Sequence, residues 1–314
     1  MLFVEADQAL QLLDCSSVAD AIDEMLQKRR EGHTSAPVRT SVALGQGVLL
    51  LMPAADQTFA CVKTVTVHTA NSKKGLPSIH GMVLLLDAAT GEHLALIDGP
   101  TLTAQRTAAL SLLGARKVIG CLQGQLLIVG AGAQARAHAR AFWAEGKLDR
   151  IYLAGRNPES GQALATELRA EGIHAQWTAN SEAVYSEVQM VITATSSSQP
   201  VISNAVANNT LVIAIGAFRQ DMAELPPELV RRSRVYVDTL EGARAEAGDL
   251  IQAGIDWDEV TSLDQIEALP AMDGRPQIFK TVGHALWDLA AAELVYSKLS
   301  SMSLKDRKRP GNSF

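Results

Sequence analysis

An α/β fold in two parts is predicted for this chain, and three observations predict it. Strand-like apolar runs crowd the segment before residue 100. A glycine-rich turn in VGAGAQARAHA then joins an apolar run to a helical one at Gly130. Beyond it, short apolar strands alternate with Ala-rich helical segments, the order of a parallel sheet with crossover helices. A length of 314 residues suits two domains, each able to bury its own core.

Residues 18–29 place Val18, Ile22, Met25 and Leu26 on one helical face and Asp23, Glu24, Gln27 and Lys28 on the other, with Gly32 as the stop. Strand-like runs follow at VRTSVAL, GVLLLMP and FACVKTVTVH, and GMVLLLDAATGEHLALID reads as two strands around an Ala-Ala-Thr-Gly turn. The first part is therefore expected to be a small mixed domain with a mainly antiparallel sheet. TLTAQRTAALSLLGAR is helical, starts beside Pro100 and offers Thr101 or Thr103 as its cap. It leads into LLIVG, AQARAHARAFWAEG, RIYLAG and PESGQALATELRAEG, a βαβ unit with a further helix.

Later strands are expected at 190–193, 211–215 and 235–237, with IFKTVG as another, before the helix HALWDLAAAELVYSKL. That helix is expected to cross back to the first domain. The charged tail SLKDRKRPGNSF is expected to be a mobile surface end. The resulting division is 1–115, 116–284, and 285–314 for the returning helix and tail.

Composition narrows the function. Hydrophobic residues at 47% and charged residues at 20% describe a globular chain, and a net charge of -6 without a basic stripe argues against nucleic acid. No secretion signal or membrane span is read, so a cytoplasmic setting is expected. Cys15, Cys61 and Cys121 are widely spaced and read as buried apolar residues in a reducing compartment. The 7 histidines are dispersed, and no metal site is expected.

The glycine-rich turn carries the clearest chemistry. Gly130 permits the tight turn, Gly132 lets the backbone approach a pyrophosphate, and Ala135 allows close strand–helix packing. Free amides at the helix start, at Ala133 and Gln134, complete a phosphate cradle. The next strand ends in Gly155, Arg156 and Asn157, with no acidic residue for a ribose hydroxyl. Arg156 can pair with an extra phosphate and Asn157 can add a neutral hydrogen bond, so NADPH is expected in preference to NADH. Thr195 and Ser196, and Val282, Gly283 and His284, follow strands at the expected ligand edge and are candidates to border the nicotinamide; loop or cap chemistry competes for Ser196 and His284.

A second polar set lies in the first domain: Arg39, Lys63, Ser78, His80 and Arg106. Taken singly, each reads as a surface charge or structural hydrogen-bonder. Lys63 however interrupts an apolar strand and Arg106 an Ala/Leu-rich helix, so both are expected to be held against an apolar framework while reaching a cleft. A small carboxylate suits them. His80 is a proton-transfer candidate because imidazole titrates near neutral pH.

With Lys63 and LPSIHG, LALIDGPTLTAQRTAA, VGAGAQARAHA, IGAFRQDMAELP and KTVGHALWDLAAA in this order, the chain resembles the ornithine cyclodeaminase and mu-crystallin family. That family contains cyclodeaminases, ketimine reductases and some amino-acid dehydrogenases. The resemblance implies a Rossmann-type dinucleotide-binding domain plus a discontinuous α+β substrate-binding and dimerisation domain, and a homodimer. It places Arg39, Lys63 and Arg106 at the substrate carboxylate and Ser78 near the reacting end, with catalytic roles expected among Lys63, Arg106, Ser78 and His80.

One departure is informative. Cyclodeaminases carry an Asp directly after the Gly-Ala pair matching Gly216 and Ala217; here that residue is Phe218, which can neither hold an ammonium by a carboxylate nor take its proton. Asp221 is close in sequence but is not the matching residue. The expected reaction is therefore reduction of a preformed cyclic imine, Δ1-pyrroline-2-carboxylate or Δ1-piperideine-2-carboxylate, to L-proline or L-pipecolate, with Phe218 against the ring methylenes. An amino-acid or opine-like dehydrogenase and a non-enzymatic nucleotide-bound binding protein are the competing readings.

Overall fold

The computed structural model describes residues 1–271 and 273–307. In chain order the elements are β1 (Leu2–Val4), α1 (Ala6–Leu12), α2 (Cys15–Arg30), β2 (Thr40–Leu44), β3 (Gly47–Ala55), β4 (Phe59–Val67), β5 (Ile79–Asp87), β6 (His93–Asp98) and α3 (Gly99–Ile119). Then come β7 (Gln123–Val129), α4 (Ala133–Glu145), β8 (Lys147–Ala154), α5 (Pro158–Ala170), β9 (Ala175–Trp177), β10 (Met190–Thr193), β11 (Leu211–Ala214), α6 (Pro227–Arg232), β12 (Arg234–Val237), α7 (Leu240–Glu246), α8 (Gly248–Ala253), β13 (Thr261–Ser262), β14 (Gln277–Lys280) and α9 (Ala285–Arg307).

The chain divides into two compact units, one of residues 1–106 with 284–314 and one of 107–283. The boundary expected at 115/116 lies further along the same helix, α3. The tail expected to be mobile is helical as far as Arg307, and 308–314 lie outside the described residues.

The first unit is an α+β layer: a sheet in the order β1-β6-β5-β4-β3-β2, antiparallel except for β1 beside β6. Two elements of this unit, β1 and α1, escape the sequence reading because each is too short to show a period. Helix α2 buries Val18, Ile22, Met25 and Leu26 as its apolar stripe requires, Asp14 caps it by accepting from the Ser17 amide, and Gly32 beyond it has a φ of 75°. Helix α3 is capped by Asp98, whose Oδ1 accepts from the Thr101 amide at 2.8 Å, rather than by either threonine. Returning helix α9 packs on β3, β4, β5 and β6 and against α2. Its Trp287 and Leu289 are fully buried, each contributing roughly 1.5–3 kcal/mol by leaving water.

The second unit is an all-parallel sheet in the order β13-β12-β14-β11-β10-β7-β8-β9, the Rossmann-type half of the expected fold class. Its central strands are buried along their length, so they read as continuous apolar runs rather than alternations. Strand polarity brings the C-terminal ends of β7, β8, β10, β11, β12 and β14 to one edge, where an open parallel sheet presents its ligand crevice.

Of the cysteines expected to be buried, only Cys61 is; Cys15 is half-buried and Cys121 exposed, because each lies at a helix start or a chain turn. No helix among the described residues is long and apolar enough to cross a membrane, and among them no cluster of metal-ligating side chains occurs.

Candidate active site

In the first unit the strand register decides which side chains meet. Lys63 on β4 pairs with Met52 on β3 and Val83 on β5, and Val83 with Ile97 on β6. Directly paired residues share a sheet face, and all four are buried on the face that carries α9. A lysine there must find a partner. It does: Lys63 Nζ lies 2.6 Å from Asp288 Oδ2, and Arg106 Nε donates to Asp288 Oδ1 at 2.9 Å.

The two cations are almost wholly enclosed, with side-chain exposures of 3% and 6%, and Asp288 is fully enclosed. Burial draws the Lys63 pKa down to about 8; the Asp288 carboxylate opposes this, while the charges of Arg106 and Arg39 reinforce it. Burial alone raises the Asp288 carboxyl, yet the two cations outweigh it and hold its pKa below the ordinary carboxylate range. Burial also pushes the Cys61 thiol well up, so it stays neutral beside them.

Two cations against one carboxylate leave a net positive charge, and Arg106 meets Asp288 through Nε. Its terminal fork is geometrically suited to an anionic group, and a Lys63 near neutrality can either hold an anion or move a proton. Half-buried Arg39, in the loop before β2, adds a third positive charge to this cluster.

Of Arg39, Lys63 and Arg106, the structure brings Lys63 and Arg106 together on Asp288, and the charge of Arg39 bears on Lys63. His80 is not gathered with them. It pairs with Thr66, three residues from Lys63, so it lies on the opposite face of the sheet and is exposed. Ser78 is half-buried just before β5, its carbonyl accepting from the His68 amide. Asp288 was not singled out, although a lone acid inside the apolar run HALWDLAAA carries the same signal that drew attention to Arg106.

In the second unit the turn after β7 has the geometry of a phosphate cradle. Gly130 has a φ of 136°, and a Cβ there would stand 2.5 Å from the Ala194 carbonyl oxygen, so only glycine fits. A Cβ on Gly132, by contrast, meets no atom within 4 Å: the space before the start of α4 is open. Gly132 caps α4 without a side chain, leaving the amides of Ala133 and Gln134 without intrahelical acceptors. Gln134 Oε1 is buried with no partner among the described residues. An open approach, free amides and an orphaned acceptor fit a dinucleotide.

Behind this turn, fully buried His138 bridges α4 to α3: Nδ1 meets the Gln134 carbonyl at 2.7 Å and Nε2 meets Ser111 Oγ at 2.9 Å. Burial lowers its pKa to about 4, so it is neutral and structural. Arg156 and Asn157 stand exposed past the end of β8, and the Asn157 side chain is already used to cap α5 through the Ser160 amide.

Two buried carboxylates brace the ligand edge, and the sequence reading missed both. Glu224 accepts at Oε1 from the Thr195 amide (2.6 Å) and hydroxyl (2.8 Å), and at Oε2 from the Thr193 hydroxyl (3.0 Å) and the Gly216 amide (2.6 Å). It thereby ties the end of β10 to the end of β11. Burial and the neighbouring Asp249 charge raise its pKa, against the pull of Lys280, which pairs with Asp249 at 2.9 Å. Asp238 does the same for β12 and β14, accepting from the Thr281 hydroxyl at 2.6 Å and the Gly283 amide at 3.0 Å.

Of the nicotinamide candidates, Thr195 has its hydroxyl committed to Glu224 and Ser196 is exposed, while Val282 is buried and Gly283 held by Asp238. His284 Nδ1 accepts from the Leu286 amide at the start of α9, a capping role. Phe218 packs part of its ring on the core of this unit. Asp221 is turned to solvent and gripped by Arg219 through two contacts of 2.9 Å.

Comparison with known proteins then settles the family. Residues 2–303 match the ornithine cyclodeaminase/mu-crystallin family. The chain belongs to that family. It is 37% identical over 301 residues to Delta(1)-pyrroline-2-carboxylate reductase 1 of Burkholderia multivorans, covering 96% of each chain. It is 36% identical over 301 residues to the Delta(1)-pyrroline-2-carboxylate/Delta(1)-piperideine-2-carboxylate reductase of Azospirillum brasilense, again covering 96% of each. Among solved structures it is similar to Thermococcus litoralis Delta(1)-pyrroline-2-carboxylate reductase in complex with NADH and L-proline, with a TM-score of 0.89, 27% identity, and coverage of 96% of this chain and 98% of that one.

Proposed function

We propose that the protein reduces cyclic imino acids, Δ1-pyrroline-2-carboxylate and its six-membered homologue, to L-proline and L-pipecolate at the expense of a reduced nicotinamide dinucleotide. The observation that carries this reading is the buried cationic cluster of Lys63 and Arg106, with Arg39 beside it, in a chain whose relatives reduce such imines. The substrate is a small planar carboxylate, and a desolvated guanidinium fork with an ammonium beside it is the matching anchor.

When bound, the reduced dinucleotide supplies a hydride for C2 of the C=N bond, and the ring nitrogen takes a proton to complete the amine. Gly130, Gly132, Ala133 and Gln134 would hold its pyrophosphate, and Thr195, Ser196, Val282 and Gly283 would border its nicotinamide. Arg156 favours NADPH, with NADH accepted less well; support comes from its exposed side chain and from Gly155, Arg156 and Asn157 offering no acid at the end of β8. Arg106, Arg39 and Lys63 orient the carboxylate, and Lys63, with its pKa of about 8, is able to give a proton. Ser78 assists at the reacting end. His80 is set aside as the donor, since it lies across the sheet from Lys63.

Phe218 stands where a cyclodeaminase needs a carboxylate, and Asp221 is engaged by Arg219 in solvent, so ornithine cyclodeamination is disfavoured. A homodimer is supported by the outer face of the first sheet, where Val42, Leu49, Leu51, Val62, Leu84 and Leu96 line the side opposite the one packed by α9. The deciding experiment follows cofactor oxidation with both imines and with pyruvate plus ammonia, under NADPH and NADH, alongside L-ornithine with oxidised cofactor. Imine-dependent oxidation faster with NADPH is expected, with no proline or ammonia from ornithine. Turnover confined to pyruvate plus ammonia, or robust conversion of ornithine, would overturn the reading.

A further inference from the structure

We infer that Asp288 is a positioning residue for imine reduction, its carboxylate fixing the guanidinium of Arg106 and keeping Lys63 as a cation in the substrate clamp. This rests on the reductase reading above. Asp288 sits one turn into α9, a helix whose other first-turn residues are apolar, and it is fully buried. An acid in that position has no structural reason to be there unless it is paired. Each of its oxygens faces one cation, Oδ1 accepting from Arg106 and Oδ2 lying in ion-pair reach of Lys63, and the two cations come from different elements, β4 and α3. A single carboxylate therefore sets the spacing of two anchors that no backbone hydrogen bond connects.

The binding of Arg106 through Nε matters. That nitrogen lies on the side of the guanidinium nearest its own chain, so the contact at 2.9 Å fixes the plane of the group while the terminal fork lies beyond it. The fork is preorganised, and its ordering entropy is spent on folding rather than on binding.

For Lys63 the consequence concerns charge. The charges that bear most on its ammonium are those of Asp288 from α9, Arg106 from α3 and Arg39 from the loop before β2; the Cys61 thiol on its own strand is neutral. The ammonium is buried and two of those charges are positive, so both conditions push Lys63 towards the neutral amine. Asp288 is the sole negative charge among them. Without it, Lys63 would be neutral at physiological pH and could no longer attract a carboxylate.

The test compares wild type, Asp288→Asn and Asp288→Glu in steady-state kinetics with Δ1-pyrroline-2-carboxylate from pH 5.5 to about 9.5, a window spanning the expected transition. For wild type, kcat/KM should fall on an alkaline limb near pH 8. In Asp288→Asn that limb should move down by about one pH unit or more, and KM at about pH 7.5 should rise about 30-fold or more, with a smaller change in kcat. A purely structural role would lower the folded fraction and leave both the limb and KM in place; that outcome overturns the inference. Should Asp288→Asn fail to fold, Asp288→Glu decides: a raised KM with the limb kept near pH 8 supports the inference, and an unchanged KM overturns it. A parallel titration by NMR of lysine labelled with 13C at Cε, with Lys63 assigned by its loss in Lys63→Met, reads the same shift without turnover. If wild type reduces no imine at all, the functional reading fails, while the position of the Lys63 titration in the variants still decides the role of Asp288.

Discussion

Replacing Arg106 by alanine tests the substrate anchor most directly. Its side chain is only 6% exposed, and its Nε is already committed to Asp288 at 2.9 Å, so what the substrate loses is the terminal fork. Two charge-assisted hydrogen bonds in a dry site are together worth about 3 kcal/mol or more, even allowing for their exchange with water, and Lys63 remains to hold part of the anion. The expected loss in kcat/KM is therefore about 100-fold, carried mainly by KM. The dinucleotide affinity, proposed to rest on the turn at Gly130, should change less than about twofold, since Arg106 is assigned no contact with the cofactor. A second readout follows from charge: Arg106 is one of the groups that depress Lys63, so its removal should move the alkaline limb of kcat/KM upward from about pH 8, opposite to the shift expected on losing Asp288. Steady-state kinetics across pH, with calorimetry for the cofactor and a melting curve to confirm folding, supply all three numbers. A folded variant with kcat/KM within threefold (roughly the noise of such comparisons) would refute the anchor.

Gly132→Val should leave the fold intact, because no atom lies within 4 Å of the new Cβ, yet weaken dinucleotide binding by about tenfold or more by filling the pyrophosphate approach; unchanged affinity by calorimetry would reject that placement. Arg156→Ala should weaken NADPH more than NADH, since only the former carries the extra phosphate, and equal losses in Kd would count against it. Glu293 on α9 is a pH-dependent element of stability: burial and the nearby Asp56 carboxylate raise its pKa to about 7, against the pull of Lys28. Its folded pKa exceeds its unfolded value of 4.5, so its contribution is full below that value and is lost as pH rises through about 7. Glu293→Gln should accordingly be more stable than wild type by up to about 2–3 kcal/mol at pH 8 and lose that advantage near pH 4.5, as read by denaturant melts. A pH-independent difference would contradict the assignment.

The sequence by itself determined what depends on near neighbours along the chain. The βαβ order, the turn at Gly130 and the helix after it are local patterns, because a period of two or of 3.6 residues and a glycine at positive φ are properties of a few consecutive residues. The odd placement of Lys63 and Arg106 in apolar runs was legible for the same reason, and the motif order carried the family and Phe218. Tertiary structure alone decided which charges meet. His80 was a proton-transfer candidate beside Lys63 until the register, with Thr66 opposite His80 and Lys63 opposite Val83, put the histidine on the far face. Glu224 and Asp238 lie in loop segments without periodicity, and only the parallel order of β10, β11, β12 and β14 makes them braces between strand ends. Asp288 is separated from Arg106 by 182 residues, and burial, which converts an ordinary acid into the partner of two cations, is created by packing α9 on the sheet and is not a property of any stretch of sequence.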